Sequence, residues 1–290
     1  MKKISILLLS LLSLMGFAQK SAYQVTSPVE LNVMTFNIRL DSEKDGLNNW
    51  KNRKDIVANT IRYYEADIIG TQEVLHNQLL DMEALLPGYS SIGVGRLDGM
   101  EKGEYSAIFY NHNKLTETGS GYFWLSENPL AVGEKGWDAA CERIATWAKL
   151  KDNRTGKIFF VLNTHFDHVG KKARTESAKL ILEKVKLYAK KLPVIVTGDF
   201  NSTPESEAIR ILTDTSNPLH LTDSRAVSPT FEGPDWTFHD FGRLPLKERE
   251  LIDYVFVKNN VNILTYKVID EKVDDKYTSD HNPVLVRVQF

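Results

Sequence analysis

The stretch TGDFN, residues 197–201, follows the apolar run Pro193-Val194-Ile195-Val196, which suits a strand buried on both faces. In an extended chain residues i and i+2 face the same way, so Asp199 and Asn201 are expected to share one face at the strand's mouth. Such a pair is either a capping turn, for which Asp, Asn, Ser and Thr are common residues, or part of a polar site. Other strand-like segments end similarly. TFNIR presents Asn37 and Arg39, TQE presents Glu73, and NTHFDH presents His165 in phase with Asn163 and Asp167. LIDYVFV places Asp253 inside an apolar strand, and TSDHNP places Asp280 and His281 just before the last strand. Taken singly, most have an ordinary explanation as solvated strand ends, a structural histidine or a turn. Asp253 is harder to dismiss. A carboxylate buried among Leu251, Ile252, Tyr254 and Val255 loses on the order of several kcal/mol of hydration unless a cation or hydrogen-bond donors compensate.

Jointly, these residues suggest metal-assisted chemistry. Carboxylates and amides without a thiolate suit a hard cation such as Mg²⁺, with Mn²⁺ as the alternative, whereas zinc prefers a tighter set of His or Cys ligands. Two histidines beside such an ion, with buried acids to orient them, would supply a base and a donor at a phosphoryl centre.

The elements that must position these groups are mostly strands. Strand-like segments cover residues 31–39, 67–73, 89–95, 105–110, 143–150, 157–165, 193–201, 251–257, 262–269 and 283–288. Helical periodicity covers 50–65 and 171–191, and a short helix is expected over 205–213, after Pro204. Strands outnumber helices, several are apolar on both faces, and the mixture fits two packed sheets covered by outer helices. Two long loops stand out. Residues 126–141 hold Trp137, and 224–242 hold Phe231, Trp236, Phe238 and Phe241; such aromatics either form a lip against a substrate ring or pin the loop to the body.

In order and local context, Asn37 in TFNIR, Glu73 in TQE, His165 in NTHFD, Asp199 and Asn201 in GDFN, Asp253 in IDYVF, and Asp280 and His281 in SDH resemble the endonuclease/exonuclease/phosphatase superfamily. The resemblance runs from about residue 30 to the carboxy terminus. It implies a four-layered α/β/β/α sandwich, deoxyribonuclease I-like, with two mainly antiparallel sheets and the site at one mouth. It further implies that Glu73 is the principal Mg²⁺ ligand, with Asn37 nearby and Asp280 helping to hold the ion. His281 would activate the attacking water, oriented by Asp253. His165 and Asn201 would contact phosphate oxygens, with His165 a donor to the leaving group, and Asp199 would position water or an oxygen held by the metal. Arg39, Arg143, Trp236 and Phe238 are candidate substrate contacts. Lys171, Lys172 and Arg174 read as a solvated face, or as a further phosphate contact.

Composition bounds the rest. Met1-Lys2-Lys3, the apolar run from Ile4 to Leu12, and Gly16-Phe17-Ala18 form the pattern of a signal peptide over residues 1–18. Secretion or a periplasmic location, with no stable membrane insertion, is therefore expected. The remainder, 19–290, has no repeat or linker and reads as one domain, expected to be a monomer. A single cysteine, Cys141, excludes an internal disulfide. The formal charge of −2, more negative once Lys2 and Lys3 are removed, provides no global field for nucleic acid. A hydrolase of small or carbohydrate-linked phosphoesters is thus expected beside a nuclease as the alternative. An inactive binding module of the same fold would show gaps among the metal, base and donor positions, and none is missing.

Overall fold

The computed structural model describes residues 27–290, and the predicted signal peptide lies outside them. The first part runs β1 (Glu30–Asn37), α1 (Lys54–Tyr63), β2 (Ile68–Gln72), α2 (His76–Leu85), β3 (Tyr89–Ile92), β4 (Ile108–Asn111), β5 (Leu115–Trp124), β6 (Ile144–Asp152) and β7 (Ile158–His165). The second runs α3 (Lys171–Ala189), β8 (Val194–Asp199), α4 (Glu207–Thr213), β9 (Thr222–Asp223), α5 (Ser224–Val227), β10 (Phe231–Glu232), β11 (Asp253–Lys258), β12 (Asn262–Val268) and β13 (Val284–Gln289). Among the described residues no helix is long and apolar enough to cross a membrane.

One sheet has the order β10-β12-β13-β1-β2-β4-β3 and the other β5-β6-β7-β8-β11-β9. Most pairings are antiparallel, but β1 with β2, β7 with β8 and the short β10 with β12 are parallel. Strand alternation then builds the layers. Val33, Ile68, Val161, Ile195 and Val255 meet between the sheets. On one outer face Met34, Phe36 and Ile69 pack on Val57 and Ile61 of α1 and on Leu79 and Met82 of α2. On the other, Leu162, Val196 and Phe256 pack on Ile181 and Val185 of α3 and on Ile209 and Leu212 of α4. The expected four-layered α/β/β/α sandwich is the observed one.

Several boundaries differ from those expected. The helix expected over 50–65 begins at Lys54, after two 3₁₀ turns. The strand expected over 193–201 stops at Asp199, because Asn201 takes φ 45° and leaves the extended region. Five elements escaped the pattern: β5, α2 and the very short β9, α5 and β10. Strand β5 is a largely exposed edge strand of polar residues and glycines, and α2 buries only Gln78, Leu79 and Met82, too little for a clear period.

Beneath the mouth, the space between the sheets is polar. The amide of Gln72 donates to Asn163 Oδ1 at 2.7 Å and to Thr35 Oγ1 at 3.1 Å. Asn163 in turn donates to the Thr71 and Ala107 carbonyls at 2.8 and 2.9 Å, and Thr197 Oγ1 donates to Asn163 Oδ1 at 3.0 Å. Gly70 lets the sheets approach here, since a Cβ on it would lie 2.0 Å from Thr197 Oγ1 and 2.5 Å from Asn163 Oδ1. Gly70→Ala is therefore expected to destabilise the protein by at least about 1–3 kcal/mol, the usual range for overpacking. The measurement is the urea midpoint at unchanged slope; a midpoint equal to the parent's would mean that the sheets do not close on this glycine.

Candidate active site

Topology brings the strand ends together. Parallel β1 and β2 end at the same edge of one sheet, and parallel β7 and β8 end at the same edge of the other. Antiparallel β11 and β13 begin at that mouth. Asn37, Glu73, His165, Asp199, Asp253, Asp280 and His281 therefore converge, and Glu73 and His281 line one pocket of about 890 Å³.

The amide of Asn37 donates to Glu73 Oε1 at 3.0 Å and to Asp199 Oδ2 at 2.9 Å. Leu40 N–H donates to the other oxygen of Glu73 at 3.2 Å. Arg39 forks Asp45 at 3.0 and 3.1 Å and lies 3.7 Å from both Glu73 and Asp280. Fully buried Arg53 ties the neighbouring backbone by donating to the Ile38 and Thr278 carbonyls, both at 2.8 Å. Burial lowers its pKa to about 10.

The imidazole of His281 places Nδ1 2.9 Å from Asp253 Oδ2 and Nε2 3.8 Å from Asp199 Oδ2. This supplies the partner that a carboxylate in an apolar strand requires. Thr237 Oγ1 accepts from the Ile252 and Asp253 N–H groups at 3.1 and 3.2 Å and holds the strand start in place. Burial opposes charge on His281, but the Asp253 carboxylate and its hydrogen bond outweigh it, and the pKa is raised to about 10. Asp199 is pushed up to about 7 by burial and by the charge of Asp253. Burial also raises Asp280, with Glu73 adding and His281 opposing. Glu73 is partly buried, which opposes its charge, yet His281 and Arg39 hold it below the ordinary carboxylate range.

Asn201 reaches the site by a turn rather than by extension. Its N–H donates to Asp199 Oδ1 at 2.9 Å, and its amide lies 3.0 Å from His165 Nε2. Burial, then Arg143 and Arg96, hold His165 neutral, well below its usual range.

Three carboxylates and an amide, with no thiolate among them, form a hard oxygen donor set. Burial, with like charge adding to it, pushes Asp199 and Asp280 toward protonation, and a divalent cation would relieve that cost. One atom each from Glu73, His165 and Asp199 lie within 4.8 Å of one another, as do atoms from Asp199, Asp253 and His281.

The structure corrects some expected contacts and adds others. Arg39, Arg143 and Phe238 line the pocket, the last with its ring 4.9 Å from that of His281. Trp236 does not line it; the indole lies under Arg249 at 4.4 Å and against His239 at 5.5 Å, pinning the loop. Lys171 and Lys172 are exposed, but Arg174 lines the pocket. Asn163 points between the sheets, and Asp167 caps the backbone of Ala140, Val169 and Gly170. Arg96 and Glu104, forked together at 2.7 and 2.8 Å, were not anticipated, and Glu104 lies 3.9 Å from His165 Nδ1. Both come from the glycine-rich stretch GVGRLDGMEKGE, which has neither helical nor strand periodicity.

Comparison with known proteins places this geometry. The model of the endonuclease/exonuclease/phosphatase family matches residues 34–281. An endonuclease/exonuclease/phosphatase from Bacteroides vulgatus is 48% identical, with 90% of this chain and 98% of that chain covered, at a TM-score of 0.86. A mannosyl-6-phosphatase from Bacteroides thetaiotaomicron is 39% identical over 90% of this chain and 100% of that one, at a TM-score of 0.84. An uncharacterized protein of Acanthamoeba polyphaga mimivirus is 28% identical over 82% of this chain and 91% of its own length. Because the family match spans nearly every strand end that builds the pocket, the chain belongs to the endonuclease/exonuclease/phosphatase family, whose members hydrolyse phosphoester bonds.

Proposed function

We propose that the protein is a divalent-metal-dependent phosphoester hydrolase, using Mg²⁺ or alternatively Mn²⁺, that acts on small or carbohydrate-linked substrates. The observation that carries this reading is the gathering of Glu73, Asp199 and Asp280 beside the Asp253–His281 pair in one pocket. Glu73 and Asp280, with Asn37 beside them, would hold the ion. When bound, it would neutralise the carboxylates and polarise a phosphoryl oxygen.

In the neutral form that a bound divalent cation would favour, His281 would take a proton from the attacking water on Nε2, while Asp253 holds Nδ1 and stabilises the resulting imidazolium. Asn201 and His165 donate to the phosphoryl oxygens as charge develops on them. A neutral His165 has one N–H to offer as a hydrogen bond and is a poor proton source. Asp199, pushed up to about 7, is the better acid for the leaving oxygen. Glu250 also lines the pocket, beside Asp240 paired with Arg243, and would disfavour a further backbone phosphate there. The 39% identity to a mannosyl-6-phosphatase supports a sugar phosphate.

Turnover of bis(p-nitrophenyl) phosphate, mannose 6-phosphate and plasmid DNA with Mg²⁺ or with EDTA tests this reading. Loss of the general base in His281→Ala is expected to lower kcat by about 10²–10⁴-fold. Glu73→Ala is expected to abolish the Mg²⁺-dependent part. Parent-level turnover by either variant would refute the mechanism.

Stability offers a second test. Asp199 and His281 both bind protons more tightly in the folded protein than at their ordinary values of 3.8 and 6.5. Their joint contribution is therefore lost as pH rises, through about 7 for Asp199 and about 10 for His281. In EDTA the melting temperature is expected to fall between about pH 6 and pH 9, and Mg²⁺ to restore more of it at the higher pH. A Mg²⁺ effect independent of pH would mean that these groups do not answer to the ion.

A further inference from the structure

Four arginines line the pocket, and two are already committed to carboxylates: Arg39 to Asp45, and Arg96 to Glu104. Arg174 donates to the Asp167 carbonyl at 2.9 Å. Arg143 differs. Its side chain is only 5% exposed, its Nη2 lies 3.0 Å from His168 Nδ1, and neither Nε nor Nη1 has a hydrogen-bond partner. The nearest carboxylate, Asp167, lies 3.5 Å from Nε and is engaged by the N–H groups of Ala140, Cys141, Val169 and Gly170. A buried guanidinium left this unsatisfied is costly, and such groups in folded proteins call for an explanation. Arg143 stands just before β6, which pairs with the end of β7 that carries His165.

We infer that Arg143, with Arg174 beside it, binds the additional anionic oxygen of a phosphomonoester dianion, making the protein a monoesterase rather than a diesterase. The inference rests on the phosphoester-hydrolase reading and narrows its substrate. A monoester carries three non-bridging oxygens and close to two negative charges, whereas a diester carries two such oxygens and one charge. Glu73, Asp199 and Asp280 line the same pocket, so the extra negative charge of a monoester needs a cation that no carboxylate has already engaged. A planar guanidinium suits that oxygen, with two N–H groups to offer. An alkoxy group in its place would leave those N–H groups unpaired, which selects against diesters. In the reaction water adds to phosphorus, the P–OR bond breaks, the alcohol departs with a proton, and inorganic phosphate remains.

The test compares kcat/KM for p-nitrophenyl phosphate and bis(p-nitrophenyl) phosphate, with Mg²⁺, in the parent, Arg143→Gln and Arg143→Lys. The parent is expected to prefer the monoester. Arg143→Gln is expected to lose about 10²-fold on the monoester and less than about threefold on the diester, with weaker inhibition by inorganic phosphate. Arg143→Lys, which keeps the charge but not the fork, should fall between. Equal losses on both esters, or none on either, overturn the inference while leaving the hydrolase reading intact. Absence of Mg²⁺-dependent turnover of either ester by the parent overturns the hydrolase reading and this inference with it. Should Arg143→Gln fail to fold, the same ratio measured on folded Arg143→Lys decides.

Discussion

Two carboxylates face each other across neighbouring strands. Asp253 at the start of β11 is the register partner of Asp199 at the end of β8, and both are almost fully buried. Like charges directly opposed on a sheet are unfavourable, and burial makes them more so. The imidazole of His281 stands near both, bonded to one and 3.8 Å from the other, and in the absence of an ion is drawn toward its charged form as a result. Much of the pocket follows from this constraint. The amide of Asn37 spreads a hydrogen bond to Asp199 and another to Glu73, and Thr237 fixes the backbone of Asp253. The segment that brings His281 is stitched in by Ser279 to the Asn37 carbonyl at 2.7 Å and by Asn282 N–H to the Thr237 carbonyl at 2.7 Å.

Such a cluster must rest on something that does not relax. Replacing one hydrophobic layer by the Gln72–Asn163–Thr197 network ties the two sheets together directly below the mouth. Hydrogen bonds are directional where apolar contacts are not, so this seam fixes the sliding position of one sheet on the other. That position in turn sets the distance between Glu73, from one sheet, and His165 and Asp199, from the other. The site spans the sheets, and its geometry depends on their register.

The strand-mouth residues were legible because period-two alternation and parallel pairing carry them to one edge, and because a lone acid inside LIDYVFV demands a partner. The layers were legible from strands apolar on both faces. What stayed hidden depends on packing at longer range. Arg174 and Lys171 differ only in their position around α3, and the docking of that helix decides which of them meets the pocket. Trp236 and Phe238 sit two apart on one loop, yet only Phe238 turns inward, because its neighbours pair with Glu250 and Asp280. Arg96 and Glu104 come from a stretch without periodicity, and only the closed fold shows that they meet beside His165.

The remaining hidden feature is conformational. Arg39, Glu73 and Asn201 all take positive φ, at 60°, 61° and 45°, and each follows the end of a strand that supplies the pocket. For residues with a Cβ this costs on the order of 1–3 kcal/mol each, and nothing in their identity announces it except for Asn201, whose type tolerates the left-handed region. The physical reason lies in reach. An extended continuation would carry each residue past the mouth into solvent, whereas a left-handed step turns the chain back at the strand end. Glu73 can then accept from Asn37 and Leu40, and Asn201 can donate its own N–H to the Asp199 carboxylate in the turn. The polar interactions at the site therefore hold the backbone in conformations it would otherwise leave, and the same three residues lose mobility at the place where phosphoryl chemistry requires fixed donors.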